Sequence, residues 1–97
     1  LVEVHEREEL DRALSLGAPV IGINNRNLRT FQTRIETSLD LLPMIPPGPV
    51  VVSESGFFTR LDVERVVAAG AHAVLVGEAL VTATDVAAKV RELALLE

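Results

Sequence analysis

Apolar residues along this chain form two kinds of pattern. Short runs rich in β-branched residues occupy positions 1–4, 20–23, 50–52 and 73–76. They are too short for helices and read as strands. They are near-continuous rather than alternating, as expected when both faces are covered, and so predict parallel strands in an α/β layer architecture. Helical spacing fills the intervals. Leu10, Ala13 and Leu14 make one apolar face, Glu6, Glu8 and Glu9 load its first turn with acid, and Gly17 supplies the stop. Over residues 59–69 the design recurs, with Thr59 and Asp62 as a capping box, Val63, Val66 and Val67 as the face, and Gly70 as the stop. A further helix is predicted over 36–42, ended by Pro43, Pro46 and Pro47. The last begins near Thr84 as its cap and is expected to bury Val86, Val90 and Leu93. The predicted order is βαβαβαβα.

Superimposing Gly17 on Gly70 aligns REELDRALSLGAPVIGIN with RLDVERVVAAGAHAVLVG, so that Arg7 meets Arg60, Asp11 meets Glu64, Arg12 meets Arg65 and Ala18 meets Ala71. The offset is two βα units. A repeat of that kind is expected in a chain of duplicated βα pairs, as in a (βα)8 barrel, although shared helix-then-strand grammar imitates part of it. A whole barrel takes roughly 250 residues. The fold expected here is therefore α/β, a (βα)4 half of such a barrel in one partial domain spanning residues 1–97.

Composition narrows the function classes. The 97 residues, 48% hydrophobic and 24% charged, suit one globular unit, and no apolar run approaches the roughly 18 residues of a membrane span. Fourteen acids against nine bases give a net charge of −5, and Tyr and Trp are absent, which argues against a nucleic-acid partner. The absence of Cys excludes disulfides and thiolate zinc sites and fits a reducing cytoplasm, while two distant His are poor material for another metal site. No metal or cofactor is expected. A mean hydropathy of +0.34 is high for so small a chain and predicts apolar surface that belongs against a partner. The sequence opens on Leu1 with a strand already under way and no signal-peptide pattern, so its natural start is expected upstream.

Candidate chemistry gathers where the strands end. Glu3 and His5, Asn24 with Asn25 and Arg26, Ser53 with Glu54 and Ser55, and Gly77 with Glu78 all follow strand apolar runs. In parallel α/β folds ligands bind at that edge. Any single strand end is polar simply because it leaves the core; four out of four carry more weight. The segments SESGFFT and LVGEAL each place a glycine between strand and helix, where exposed N–H groups hold phosphate. If these are the last two strands of a barrel, they match its recurrent phosphate site.

Together LVEVH (1–5), IGINNRNL (21–28), VVSESG (51–56) and AVLVGEAL (73–80) resemble the C-terminal half of the indole-3-glycerol phosphate synthase family, in order and spacing along nearly the whole chain. The resemblance implies a (βα)8 barrel that closes the ring of 1-(2-carboxyphenylamino)-1-deoxyribulose 5-phosphate with loss of CO2 and water. It implies that Glu3 is an acid/base carboxylate on the fifth strand, that Asn24 on the sixth orients substrate hydroxyls and neighbouring carboxylates, and that Glu54 is the carboxylate of the seventh. Arg26 resembles a loop arginine that meets the substrate's carboxylate, which suits a planar guanidinium. Ser55 and Gly56, with Gly77 and the backbone N–H of Glu78, match segments holding substrate and phosphate. The family's first-strand Glu and Lys and its third-strand lysine would lie upstream of Leu1, so the isolated chain is expected to be inactive.

Two other phosphate-binding barrels, phosphoribosylanthranilate isomerase and the tryptophan synthase α chain, are rival readings, and the INNRN segment favours the first. A non-catalytic half-barrel that associates with itself or with a missing N-terminal half is the rival of another class. Of the remaining polar candidates, His5 reads as a helix-entry residue, His72 as structural, and Arg29 and Arg34 as solvated. Phe57 and Phe58 read as helix-packing residues, one of them able to line the pocket.

Overall fold

A computed structural model describes residues 1–95. Four strands, β1 (Val2–Val4), β2 (Val20–Asn24), β3 (Val50–Glu54) and β4 (Ala73–Leu75), form one sheet in the order β1-β2-β3-β4. Every pairing is parallel. Helices α1 (Arg7–Ser15), α2 (Glu36–Leu41), α3 (Arg60–Ala68), α4 (Glu78–Val81) and α5 (Val86–Leu93) fill the connections, with a 3-10 turn over Leu42–Met44. Parallel strands in sequential order, joined by crossovers of one hand, put all the helices on one face. The Cα extents of 42 × 30 × 19 Å agree, since 19 Å accommodates a sheet and one helix layer but not two. Four consecutive βα units of a (βα)8 barrel are arranged in this way.

Alternation along the strands separates the two faces. Val4, Ile21, Ile23, Val51 and Ser53 turn to the helices and are buried with Leu10, Ala13, Leu41, Val63 and Val66. Glu3, Gly22, Asn24, Val52, Glu54 and Leu75 occupy the opposite face, which no helix among the described residues covers. The expectation that both faces are covered therefore fails for this chain: Leu75 on the edge strand β4 is 58% exposed, and Val50 is exposed as well.

The helix ends follow local chemistry. Glu9 Oε1 accepts from the backbone N–H of His5 and Glu6 at the start of α1. Asp62 Oδ2 does the same for Phe58 and Thr59 at α3, while Thr59 Oγ1 accepts from Asp62 N. At the other end, Gly17 (φ 69°) and Gly70 (φ 115°) adopt left-handed backbone. Ala18 N donates to Ala13 O and Gly17 N to Leu14 O; Ala71 N donates to Val66 O and Gly70 N to Val67 O. Both are Schellman stops with the same bonds at aligned positions. The aligned segments therefore share hydrogen bonding as well as residues.

After β4 the structure departs from expectation. A short helix, α4, intervenes before the last one, and α5 is capped by Asp85, whose Oδ1 accepts from Ala88 N, instead of by Thr84. Leu93 is buried as expected, but Val86 and Val90 are 51% and 44% exposed. Their spacing identified a helix face correctly, but nothing among the described residues covers it. No helix of the described residues is long and apolar enough to cross a membrane.

One buried polar network ties the sheet to the helix layer. Asn25, fully buried just past β2, donates from Nδ2 to Ser53 Oγ (3.2 Å) and to Ser55 O (3.0 Å). Its Oδ1 accepts from Ser38 N (3.1 Å) and Ser38 Oγ (2.7 Å). Its own backbone N–H reaches Glu54 O (2.8 Å) and its carbonyl receives Arg34 N (2.9 Å). Truncating this side chain strands several buried partners, each costing about 1–3 kcal/mol. Asn25→Ala should therefore lower unfolding free energy by about 3 kcal/mol in urea titrations, with an unchanged m value.

Candidate active site

The strand register assembles the site. Glu3 pairs with Gly22 and Asn24 pairs with Glu54, all four on the uncovered face. Glu54, at the end of β3, is only 5% exposed, and its carboxylate lies back over Gly22. Its Oε2 is buried without a hydrogen-bond partner among the described residues. Burial of a carboxylate that lacks a compensating donor favours the protonated form, and the Glu3 carboxyl beside it adds a hydrogen bond only a protonated group can make, together with like-charge repulsion. These causes, burial first, raise Glu54 from an ordinary 4.5 to about 7. Near neutral pH this group both holds and releases a proton.

Asn24 Oδ1 accepts from Arg26 N (3.0 Å) and from Ser55 Oγ (3.1 Å). With its oxygen so occupied, the amide has its NH2 to offer. Ser55 (φ 75°) and Gly56 (φ 87°) both adopt left-handed backbone and turn the chain sharply out of β3. For Ser55 this is a strained conformation outside the usual range of a non-glycine residue. Arg26 Nε donates to Thr33 Oγ1 (3.3 Å), and one of its terminal nitrogens meets Glu78 Oε2 at 3.2 Å. A cleft of about 390 Å3 opens here, its walls including Arg26, Glu54, Ser55, Gly56, Gly77 and Glu78. Phe57 is buried in the core and Phe58 is exposed, and both line the cleft.

Six of the eight candidate residues thus share one cleft. Glu3 and Asn24 are not among its walls but adjoin them, Asn24 through its hydrogen bond with Ser55 and Glu3 beside Glu54. The phosphate reading places Gly56 between strand and helix, but the helix does not start at it. Helix α3 begins at Arg60, with N–H groups of Phe58 and Thr59 closed by Asp62 and that of Arg60 by Glu92. Glu78 also differs, because its side chain is engaged with Arg26 inside the cleft in addition to its backbone N–H at the start of α4.

His5 enters α1 and its Nδ1 lies 2.7 Å from Asn24 O, so Nδ1 carries the proton it donates. His72 Nδ1 accepts from Val51 N (3.0 Å) at the opposite end of the sheet, far from the strand C-termini. Arg29 and Arg34 are exposed. Two supporting roles escaped the sequence reading: the buried network of Asn25, which was noted only as a polar strand end, and Gly22 beneath the Glu54 carboxylate. The doubled Asn in INNRN was a signal for the first, since one of two adjacent strand-end residues must face the helices.

The family model for indole-3-glycerol phosphate synthase matches residues 1–93. The chain belongs to the indole-3-glycerol phosphate synthase family. It is 58% identical over 83 residues to indole-3-glycerol phosphate synthases of two strains of Burkholderia ambifaria, covering 86% of this chain and 32% of each relative. It is 54% identical over 85 residues to that of Burkholderia vietnamiensis, covering 88% of this chain and 33% of the relative. This synthase-family chain thus spans about a third of the length of the curated relatives it matches.

The raised Glu54 carboxyl makes stability depend on pH in a defined direction. Below pH 4.5 both folded and unfolded states are protonated and Glu54 costs nothing. As pH rises toward 7 the unfolded chain gives up the proton while the folded one retains it, so folding loses on the order of 3 kcal/mol. Glu36, lowered by a hydrogen bond with its own backbone and then by Arg65, and Glu92, lowered first by Lys89, act in the opposite sense, with stability lost only on acidification below 4.5. Urea midpoints should therefore fall between pH 4.5 and 7, and Glu54→Gln should flatten that slope. An unchanged slope in the variant would assign the loss to other groups.

Proposed function

We propose that this chain is the last four βα units of an indole-3-glycerol phosphate synthase. In the longer protein it closes the ring of 1-(2-carboxyphenylamino)-1-deoxyribulose 5-phosphate, releasing CO2 and water. The observation that carries this reading is the Glu3–Glu54 pair: a carboxyl poised near neutral pH, at the C-terminal ends of parallel strands, on the wall of an open cleft. Ring closure and dehydration require protons to be delivered to carbonyl and hydroxyl oxygens and removed from carbon and nitrogen. A group whose pKa is near the working pH does both.

The other residues take roles that suit their chemistry. Asn24 directs its amide NH2 at a substrate hydroxyl while its oxygen holds Ser55. Arg26 exchanges Glu78 for the substrate's aromatic carboxylate, a match for the planar guanidinium. Backbone N–H groups at Gly56, Gly77 and Glu78 meet the phosphate across the cleft, and Arg26 offsets the negative charge of the Glu78 side chain. The remaining positive charge that decarboxylation and dehydration call for comes from lysines outside this chain, so the chain alone does not turn over. A cytoplasmic location belongs to the same proposal.

Its partner is the rest of the barrel. The uncovered strand face, the exposed Leu75 and Val50, and the free edges of β1 and β4 are surfaces that barrel closure would bury. The chain expressed by itself should self-associate in sedimentation at micromolar concentration, and a strictly monomeric chain would count against closure as the use of those edges.

In a protein of the relatives' length, Glu3→Gln and Glu54→Gln should each lower kcat by roughly a hundredfold or more with the fold retained by circular dichroism. The pure chain should give no turnover of the phosphorylated substrate until the upstream part is added. Full activity in either Gln variant would remove that carboxylate from the chemistry, and turnover by the chain alone would overturn its dependence on residues elsewhere.

A further inference from the structure

We propose that Gly22 is a positioning residue, whose missing side chain is the slot that seats the Glu54 carboxylate against Glu3. The inference rests on the acid/base reading of that pair but is carried by geometry. Gly22 pairs with Glu3 on one side and with Val52 on the other, and its α-carbon lies on the uncovered face of the sheet, where Glu54 reaches back from the next level. A Cβ at Gly22 would collide with Glu54 Oε2, and would stand 3.3 Å from Glu54 Cδ and 3.2 Å from Leu1 Cδ1.

The usual reason for a glycine does not apply. Gly17, Gly48, Gly56 and Gly70 have positive φ, and Gly77 has nothing within 4 Å of where its Cβ would be. Gly22 alone combines ordinary strand backbone with a collision. A glycine weakens a strand interior, and such a position marks a close approach by another group. Here that group is the end of a flexible carboxylate, which would yield to an added methyl by swinging out toward the cleft. It would then leave both its burial and Glu3, the two features that hold its proton near neutrality.

The test compares Gly22→Ala with the parent by 13C NMR titration of the Glu54 carboxyl, assigned through Glu54→Gln. The midpoint should fall from about 7 toward 4.5 in the variant. A midpoint that stays near 7 overturns the proposal. If Gly22→Ala does not fold, the same substitution in a Glu54→Ala background decides: folding there places the conflict at the carboxylate, and failure there too shows that the backbone itself needs glycine and overturns the proposal. In a protein of the relatives' length, Gly22→Ala should lower kcat about tenfold or more with KM little changed, and its pH profile should move with the Glu54 midpoint. Unchanged kcat and profile would overturn the positioning role. An inactive-site result of another kind, full activity in Glu54→Gln, would sink the acid/base reading while leaving the NMR result to stand or fall by itself.

Discussion

The pairing of β2 with β3 fixes what this chain can do. Ile23 lies opposite Ser53 and Asn24 opposite Glu54, and Asn25 N–H continues the ladder to Glu54 O beyond the strand. Side chains alternate, so this one register sends Ile23, Ser53 and Asn25 to the helix layer and Gly22, Asn24 and Glu54 to the uncovered face. A slip by one residue would bury Asn24 among the helices and turn Ile23 into the cleft. The Asn25–Ser38–Ser53 network opposes such a slip, because it is satisfied only when β2, β3 and α2 meet in this arrangement. A fully satisfied buried amide contributes less to net stability than to the uniqueness of the packing around it.

That division of labour explains the contrast between two adjacent asparagines. Asn25 spends every polar atom within the protein. Of its side-chain amide Asn24 uses only the oxygen among the described residues, on Arg26 N and Ser55 Oγ, and so couples the loop after β2 to the strained turn after β3. The positive φ of Ser55 is held in place from both sides, its hydroxyl by Asn24 and its carbonyl by Asn25. Strain of this kind persists only when the surroundings over-determine it. Here it turns the chain out of β3 at Gly56, a residue of the cleft wall.

Much of this was legible in the sequence because much of it is local. Strand runs, the acidic first turn of α1, the Thr59–Asp62 box and the glycine stops each depend on residues a few positions apart, so pattern alone located them. The polar strand ends likewise announced the site, and six of the eight candidate residues line one cleft. What escaped depends on residues brought together from a distance. The role of Asn25 needs Ser38 and Ser53, and that of Gly22 needs Glu54, a full strand away in the sheet. Val86 and Val90 show the converse limit: helical spacing identifies an apolar face without identifying what covers it.

The electrostatic design follows from the same sheet. A carboxylate ordinarily escapes burial by rotating into water or by finding a cation, and Glu54 does neither while it lies over Gly22 next to a second carboxylate. The arrangement costs stability at neutral pH, in a sheet whose opposite face is packed and hydrogen-bonded throughout. Arg26, the cation of the cleft, is held away from the pair by Thr33 and Glu78 and so does not quench it. Were Arg26 to contact Glu54 instead, the positive charge would favour the ionised carboxylate and oppose the rise. The Arg26–Glu78 ion pair, largely exposed and worth little as a stabiliser, therefore matters for where it keeps the guanidinium: in the cleft wall, engaged with Glu78 and Thr33 rather than with the raised carboxyl of Glu54.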